Sequence, residues 1–453
     1  LNRTVRIQNV LILVASYIFY GWWDWRFLLL IFVSSAVDFG VGIALERTTA
    51  KPYRRLLLYL SLATNLGILG FFKYFNFFLD SLRSALNIVG TDLGYTSLNI
   101  ILPVGISFYT LQTLSYTIDV YREKIKPTRD PLVFFAYVSF FPQLVAGPIE
   151  RAGSLIPQFE RKREFTYERA ADGCRQVLWG LFKKMVIADN LALYVYGNSA
   201  DVSAQNGATL FLVAVLGVIH FYCDFAGYSD IAIGTARILG FDLMKNFDYP
   251  LFARSIAEFW QKWHISLITW FRDYLVSWLK GFTKPKLFRN ILIVFFVTGL
   301  WHGASLTYII WGLLNALLFV PTIFSKRRRK FRGPVAAGRV LPTIRETYQM
   351  ATTYVSFMLV GVFFIHRNLG DAVLMLRKMF STSLFSIPKV PIIETAFVFI
   401  FFTVEWHQRN KNHGLELLPG EAVPVVRWGA YLLLIFSILI WGGESTEFVY
   451  FQF

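Results

Sequence analysis

The sequence contains six histidines: His220, His264, His302, His366, His407 and His413. Titratable groups inside apolar runs are expensive, so each such residue is a candidate for chemistry. His302 lies in Thr298-Gly299-Leu300-Trp301-His302-Gly303-Ala304, at the end of an apolar run with no acid nearby in sequence. A glycine on each side lets the backbone approach closely and opens space around the imidazole. Desolvation there disfavours the charged form, leaving a neutral ring that can accept a proton as a general base. His264, in Trp263-His264-Ile265-Ser266, falls on the apolar stripe of a Trp-rich segment and is a second polar group for the same cavity. His220, Asp224 and Tyr228 recur at i, i+4, i+8 and share one helix face, where a buried His–Asp pair ties helices together or orients a catalytic group. Asp230 and Arg237, seven apart, are spaced to face one another. His366, His407 and His413 lie at span ends or in loops and read as surface residues. No Gly-rich phosphate loop, zinc-type His/Cys spacing or Gly-x-Ser-x-Gly elbow occurs, so no metal is expected.

These residues must be positioned by an unusually apolar chain. Of 453 residues, 55% are hydrophobic, 18% aromatic and 16% charged, yet the net charge is +16. A soluble domain carries roughly 25% charged residues. The aromatic content excludes disorder. Positive charge interleaved with apolar runs argues against a nucleic-acid binder and for a polytopic membrane protein sitting in the lipid bilayer. Two cysteines, Cys174 and Cys223, supply neither a disulfide framework nor a zinc site and read as small helical residues. The first residue is Leu1, so an upstream segment or processing is expected; no signal peptide is visible, and insertion relies on the spans.

Candidate spans are 7–23, 26–45, 56–79, 100–120, 174–196, 208–226, 290–303, 306–324, 346–366, 391–406 and 427–442. The expectation is therefore an all-α membrane protein with about eleven crossings. The stretch 131–149 is apolar but holds Pro142, Gly147 and Pro148, and reads as a broken, re-entrant segment buried in protein. Residues 325–345 carry eight Lys or Arg and no acid, which marks a basic cytoplasmic loop, the piece of chain expected to be disordered. The loops 197–208 and Trp301–Leu306, and 80–99 beyond its first residues, fall outside. Ser255–Phe282 is neither span nor loop. Trp260, His264, Leu267, Phe271, Tyr274 and Trp278 keep the helical period while Glu258, Lys262, Ser266, Arg272, Asp273 and Lys280 occupy other faces. It reads as an amphipathic helix in the cytoplasmic interface, or a helix pair dipping in.

Five blocks, in order, carry a family resemblance. They are Leu144-Val145-Ala146-Gly147-Pro148-Ile149; Asp224-Phe225-Ala226-Gly227-Tyr228-Ser229-Asp230; Glu258 to Leu267 followed by Trp270 and Arg272-Asp273-Tyr274; Gly299-Leu300-Trp301-His302-Gly303-Ala304; and Tyr450-Phe451-Gln452-Phe453. Together they resemble the membrane-bound O-acyltransferases, and within them the bacterial polysaccharide-acetylating branch typified by the membrane subunit of alginate O-acetylation. The resemblance covers nearly the whole chain and implies one membrane domain over 1–453, a ring of tilted helices around a central passage.

It also implies roles. The histidine matching His302 is the family's catalytic residue, and the one matching His264 a second functional histidine. Trp301, Trp263, Ser266, Asp224, Tyr228 and Asp273 become candidates for the tunnel or its support. The implied enzyme is an O-acyltransferase of the bacterial cytoplasmic membrane. It would take acetyl from cytoplasmic acetyl-CoA, with no permanently bound cofactor, toward an extracytoplasmic polysaccharide such as alginate, delivered by an extracytoplasmic acyltransferase partner. Two other readings stay open: D-alanyl transfer to teichoic acid within the same superfamily, and a small-anion or glycan transporter, against which the absence of an internal repeat counts.

Overall fold

A computed structural model of the chain describes residues 4–88, 98–279, 281, 283–324, 331, 333–417, 423–443 and 446–449. Every regular element among them is helical. Six helical runs are long and apolar enough to cross a membrane: Val5–Arg47, Lys51–Asn87, Gly207–Ile238, Leu306–Ile323, Ile344–Ile365 and Pro424–Trp441. The protein is therefore a multi-pass membrane protein.

Seven of the eleven expected spans fall in these runs, two of them in Val5–Arg47, where the 3-10 turn Trp25–Phe27 interrupts the helix. Four do not qualify by themselves, each for a physical reason. Ile106–Tyr121 has 16 residues and Ile392–Gln408 has 17, short of the ~20 that span a bilayer. Lys284–His302 begins with Lys284, Lys286 and Arg289. The fourth is divided into Tyr167–Leu181, a π-helix Phe182–Ala188 and Asp189–Ser199, and it carries Lys183, Lys184 and Asp189.

The chain packs as two units: residues 1–166 with 239–243, and residues 167–238 with 244–453. In the first, the fully buried Asp38 carboxylate accepts hydrogen bonds from Ser61 at 2.5 Å, Asn65 at 2.9 Å and Thr117 at 3.2 Å. Three donors offset what burying that carboxylate costs. The 131–149 segment is broken as expected. It forms Pro131–Val138 and Phe141–Leu144, with Phe134, Tyr137, Phe140 and Leu144 buried.

The second unit is organised by Gly207–Ile238, a 32-residue helix buried along most of its length. It packs on Tyr167–Leu181 through two glycine pairs. A Cβ on Gly173 would come within 2.6 Å of the Gly234 carbonyl, and one on Gly180 within 2.6 Å of the Gly227 carbonyl. Each pair is seven residues from the next, so both lie on one seam. Small residues let membrane helices approach to backbone contact, which is where their packing energy arises.

Ser255–Phe282 is not one interfacial helix. It breaks into Ile256–Lys262, Ile265–Trp270 and a π-helix Phe271–Val276, with His264 in the left-handed region at the first break (φ 45°). Trp260, Trp263, Leu267, Trp270, Phe271 and Tyr274 are buried, and only Trp278 of the stripe is strongly exposed. Glu258 is buried as well, bound to Arg254 at 2.8 Å. In the basic loop, residues 325–330 and 332 lie outside the described residues. The part that is described is ordered: Val335 and Ala336 are buried, and Arg409 donates to their carbonyls at 2.9 and 3.1 Å. Residues 89–97 and the terminal block 450–453 also lie outside the described residues.

Candidate active site

His302 is the last residue of the Lys284–His302 helix and is 4% exposed. The helix must stop there because Gly303 takes an extended conformation and the next helix starts at Leu306. The two helices pack closely at glycines. A Cβ on Gly299 would meet the Tyr308 carbonyl at 2.4 Å, and one on Gly312 the Phe295 carbonyl at 2.3 Å. The glycines beside His302 therefore serve first to bring a second helix against it.

The rings of Trp301, Trp311 and Phe364 pack around the imidazole, each with its centre 5.1 Å away. Trp311 and Phe364 meet it nearly edge-on, at 89° and 82°. His302 opens on a cavity that Trp311, Phe364, Phe221, Phe357 and Trp263 also line. Apart from His302 and the indole edges, that lining is apolar. An apolar pocket with one convergent titratable group is the arrangement expected of a reaction site that excludes water.

His264 reaches the same centre through Trp301, with ring centres 5.9 Å apart. It is buried against Phe225 at 4.5 Å, and burial pushes its imidazole well below the usual histidine range. Trp301 thus has an imidazole on each of two sides, and Trp263 stands on the wall of the cavity itself. Ser266 is buried and donates to Asn246 Oδ1 at 2.9 Å, tying the Ile265–Trp270 helix to the preceding loop.

Asp224 and Tyr228 support the site from another side. Asp224 is fully buried, ion-paired to Lys184 at 2.8 Å, and accepts the Val449 N–H at 2.9 Å. Val449 lines the His302 cavity. Tyr228 packs on Phe448, 4.3 Å between centres. Lys184 also binds Asp189 at 2.6 Å, and Asp189 accepts the Thr446 hydroxyl. One lysine therefore fixes the segment that closes part of the cavity wall.

Several expected pairings are not made. His220 and Asp224 take different partners. His220 Nδ1 bonds the Ala188 carbonyl at 3.0 Å and Nε2 meets Tyr196, while Asp224 is taken by Lys184. Asp230 pairs with Lys183 at 2.6 Å and Arg237 with Asp172, so both turn toward the neighbouring helix. Asp273 sits at the surface of the π-helix, paired with Arg272, and is not part of the His302 cavity lining. His366 and His413 are buried, against Met375 and Asp172 respectively, while His407 is exposed as expected. Among the described residues, no group of three His, Cys, Asp or Glu is placed to hold a metal ion.

Sequence reasoning missed Trp311 and Phe364, which look like ordinary apolar span residues. It also missed Lys183, Lys184 and Glu405, although charge inside an apolar run is the signal that would have found them. Lys183, 3% exposed, lies beside Asp230 and within 4.0 Å of Glu405, which accepts the Tyr222 hydroxyl at 2.9 Å.

Residues 123–362 match the sequence profile of the membrane-bound O-acyltransferase family. A probable alginate O-acetylase of Pseudomonas putida is 42% identical over 320 residues, 69% of this chain and 64% of that protein. A peptidoglycan O-acetyltransferase of Helicobacter pylori is 34% identical over 397 residues, 81% of this chain and 73% of that protein. A teichoic acid D-alanyltransferase of Bacillus subtilis is 30% identical over 254 residues, 52% of this chain and 62% of that protein. The matched stretch thus spans somewhat less than two thirds of the first of these relatives.

Proposed function

Because the chain belongs to the membrane-bound O-acyltransferase family, we propose that it transfers an acetyl group from a cytoplasmic thioester donor toward a hydroxyl on the far side of a bacterial cytoplasmic membrane. The observation that carries this reading is His302 on the wall of an apolar, aromatic cavity. Relatives named for alginate and peptidoglycan O-acetylation support acetyl as the group and an exported polysaccharide as its destination.

The donor in this reading is acetyl-CoA, drawn to the basic face by its phosphates. The acceptor hydroxyl reaches His302 from the opposite side. His302 takes its proton while the oxygen attacks the thioester carbonyl. The tetrahedral intermediate collapses, the C–S bond breaks, and the imidazolium returns the proton to the leaving thiolate. General-base assistance of this kind contributes typically 10²–10⁴-fold. The aromatic lining supplies positioning and keeps water from the thioester. His264 acts as a neutral hydrogen-bonding group that holds the donor carbonyl. The ring of helices around a central passage belongs to the same reading, as does an extracytoplasmic acyltransferase that receives the acetyl group.

The donor is tested with sealed membrane vesicles whose cytoplasmic face is outward. They are given labelled acetyl-CoA or a labelled D-alanyl carrier protein. Label from acetyl-CoA on glycan or partner protein inside supports the assignment. Label from the D-alanyl carrier alone replaces it with the activity for which the Bacillus relative is named. Free acetate inside, with no ester formed, replaces it with transport.

A further inference from the structure

The first packing unit holds a buried carboxylate that acyl transfer at His302 does not use. Asp38 lies in Leu28–Arg47, Ser61 and Asn65 in Lys51–Leu69, and Thr113 and Thr117 in Ile106–Tyr121. All five are at most 1% exposed. Three separate helices thus bring oxygen-bearing side chains to a single acid.

That acid has no counter-ion. Ser61, Asn65, Thr113 and Thr117, all neutral, act on Asp38, and among the described residues no Lys, Arg or His pairs with it. Neutral donors lower the cost of burial but leave a negative charge in the interior. Buried charges are otherwise paired or bound to a metal ion, and an acid within a membrane segment often marks an ion site.

The groups that hold Asp38 keep capacity for a cation. A hydroxyl that donates retains two acceptor lone pairs. Ser61 spends its proton on Asp38 Oδ1 at 2.5 Å, and Thr117 does so at 3.2 Å. Thr113 donates to Asn65 Oδ1 at 3.2 Å and to the Thr110 carbonyl. Asn65 Oδ1 also takes the Ser34 hydroxyl at 2.7 Å, which turns Nδ2 toward Asp38 Oδ2 at 2.9 Å. Ser35 adds an independent sign. It is 0% exposed, and its hydroxyl has no hydrogen-bond partner among the described residues. It precedes Asp38 by three positions, so the two share a helix face.

We propose that Asp38, Ser61, Thr113 and Thr117 form a Na⁺ site, with Ser35 as a further ligand, and that the ion ties the three helices together. The donor set is made of hard oxygens, without the imidazoles and thiolates that transition metals take. One carboxylate balances one positive charge, whereas Ca²⁺ sites draw on several carboxylates. The oxygens also crowd together, which suits a small ion.

The full-length protein in detergent tests this. Choline chloride is replaced stepwise by NaCl at constant ionic strength, and the melting temperature is followed. The parent gains about 5 °C or more, and the gain saturates. Radioactive Na⁺ binds to the parent and is displaced by unlabelled Na⁺. Asp38→Asn binds none and its melting temperature ignores Na⁺. In choline alone it melts no lower than the parent, because the uncompensated charge is gone. Thr117→Val, close to the parent in shape, needs about tenfold more Na⁺ for half the gain. Asp201→Asn, at an exposed acid, responds like the parent. None of these readouts involves turnover, so they stand apart from the acyl-transfer assignment. A parent that neither binds Na⁺ nor gains stability from it overturns the site. So does a Na⁺ response that survives in Asp38→Asn. Stability that follows pH but not Na⁺ overturns it as well and makes Asp38 a proton site.

Discussion

The imidazole of His264 and the indole of Trp301 lie with ring centres 5.9 Å apart, although 37 positions separate them in sequence. The contact exists because the chain breaks at His264 with a left-handed backbone, which turns the ring inward between two short helices. Trp301 adjoins His302 in the chain, so the two histidines are joined by a single aromatic side chain. Changes at His264 are therefore felt at His302 through packing as well as through chemistry.

The left-handed backbone at His264 gives one prediction. Asn tolerates this conformation, whereas a β-branched residue does not. His264→Asn folds like the parent, with transfer reduced. His264→Val loses ~1–2 kcal/mol in backbone strain alone and lowers the melting temperature of the detergent-solubilised protein. Equal melting temperatures would show that the strained turn is not needed.

The glycine seam gives a second. Gly180→Leu and Gly227→Leu each drive a side chain into the opposing backbone, where a Cβ already falls within 2.6 to 2.8 Å of a carbonyl. Both abolish a monodisperse peak in size-exclusion chromatography. Gly67→Ala, with nothing within 4 Å, leaves the profile unchanged. If all three variants behave alike, close helix approach does not hold this unit together.

Lys184 is the third. Lys184→Met leaves Asp189 and Asp224 buried without their cation. Removing one partner of a buried pair costs ~3–5 kcal/mol, so folded protein is largely lost. Adding Asp224→Asn and Asp189→Asn relieves the unpaired charges and restores part of the folded fraction, measured by thermal unfolding in detergent. No recovery in the triple variant would assign Lys184 some other role.

Gly361 lines the His302 cavity, and the nearest atom to a Cβ there is Val218 Cγ2 at 3.9 Å. Gly361→Ala is accommodated. Gly361→Leu fills part of the cavity, so transfer falls at least tenfold with the melting temperature held within a few degrees. Full activity in Gly361→Leu would place the reaction elsewhere.

The sequence singled out His302 as a titratable group between glycines at the end of an apolar run, and the structure places it on the wall of an apolar cavity. The broken 131–149 segment was legible for a similar local reason: Pro142 and Pro148 lack the backbone N–H that the interior of a helix needs. The break at His264 was not, since Trp260, His264, Leu267 and Phe271 keep a helical period straight through it. The period of a pattern does not register one residue in a left-handed conformation. Pairings such as Lys183 with Asp230 and Glu405 join residues up to 222 positions apart. Spacing along one helix suggested instead that Asp230 would meet Arg237. Helix neighbours, set by the Gly173–Gly234 and Gly180–Gly227 seam, decided otherwise.

The central claim is that His302 acts on the acceptor's proton, and one measurement addresses it most directly. Vesicles containing the parent protein or His302→Ala, matched for folded protein by size-exclusion chromatography, receive labelled acetyl-CoA, and ester-linked label is followed over time. The account predicts a drop of about 10²–10⁴-fold in the transfer rate of His302→Ala. Transfer by His302→Ala at the parent rate would contradict it.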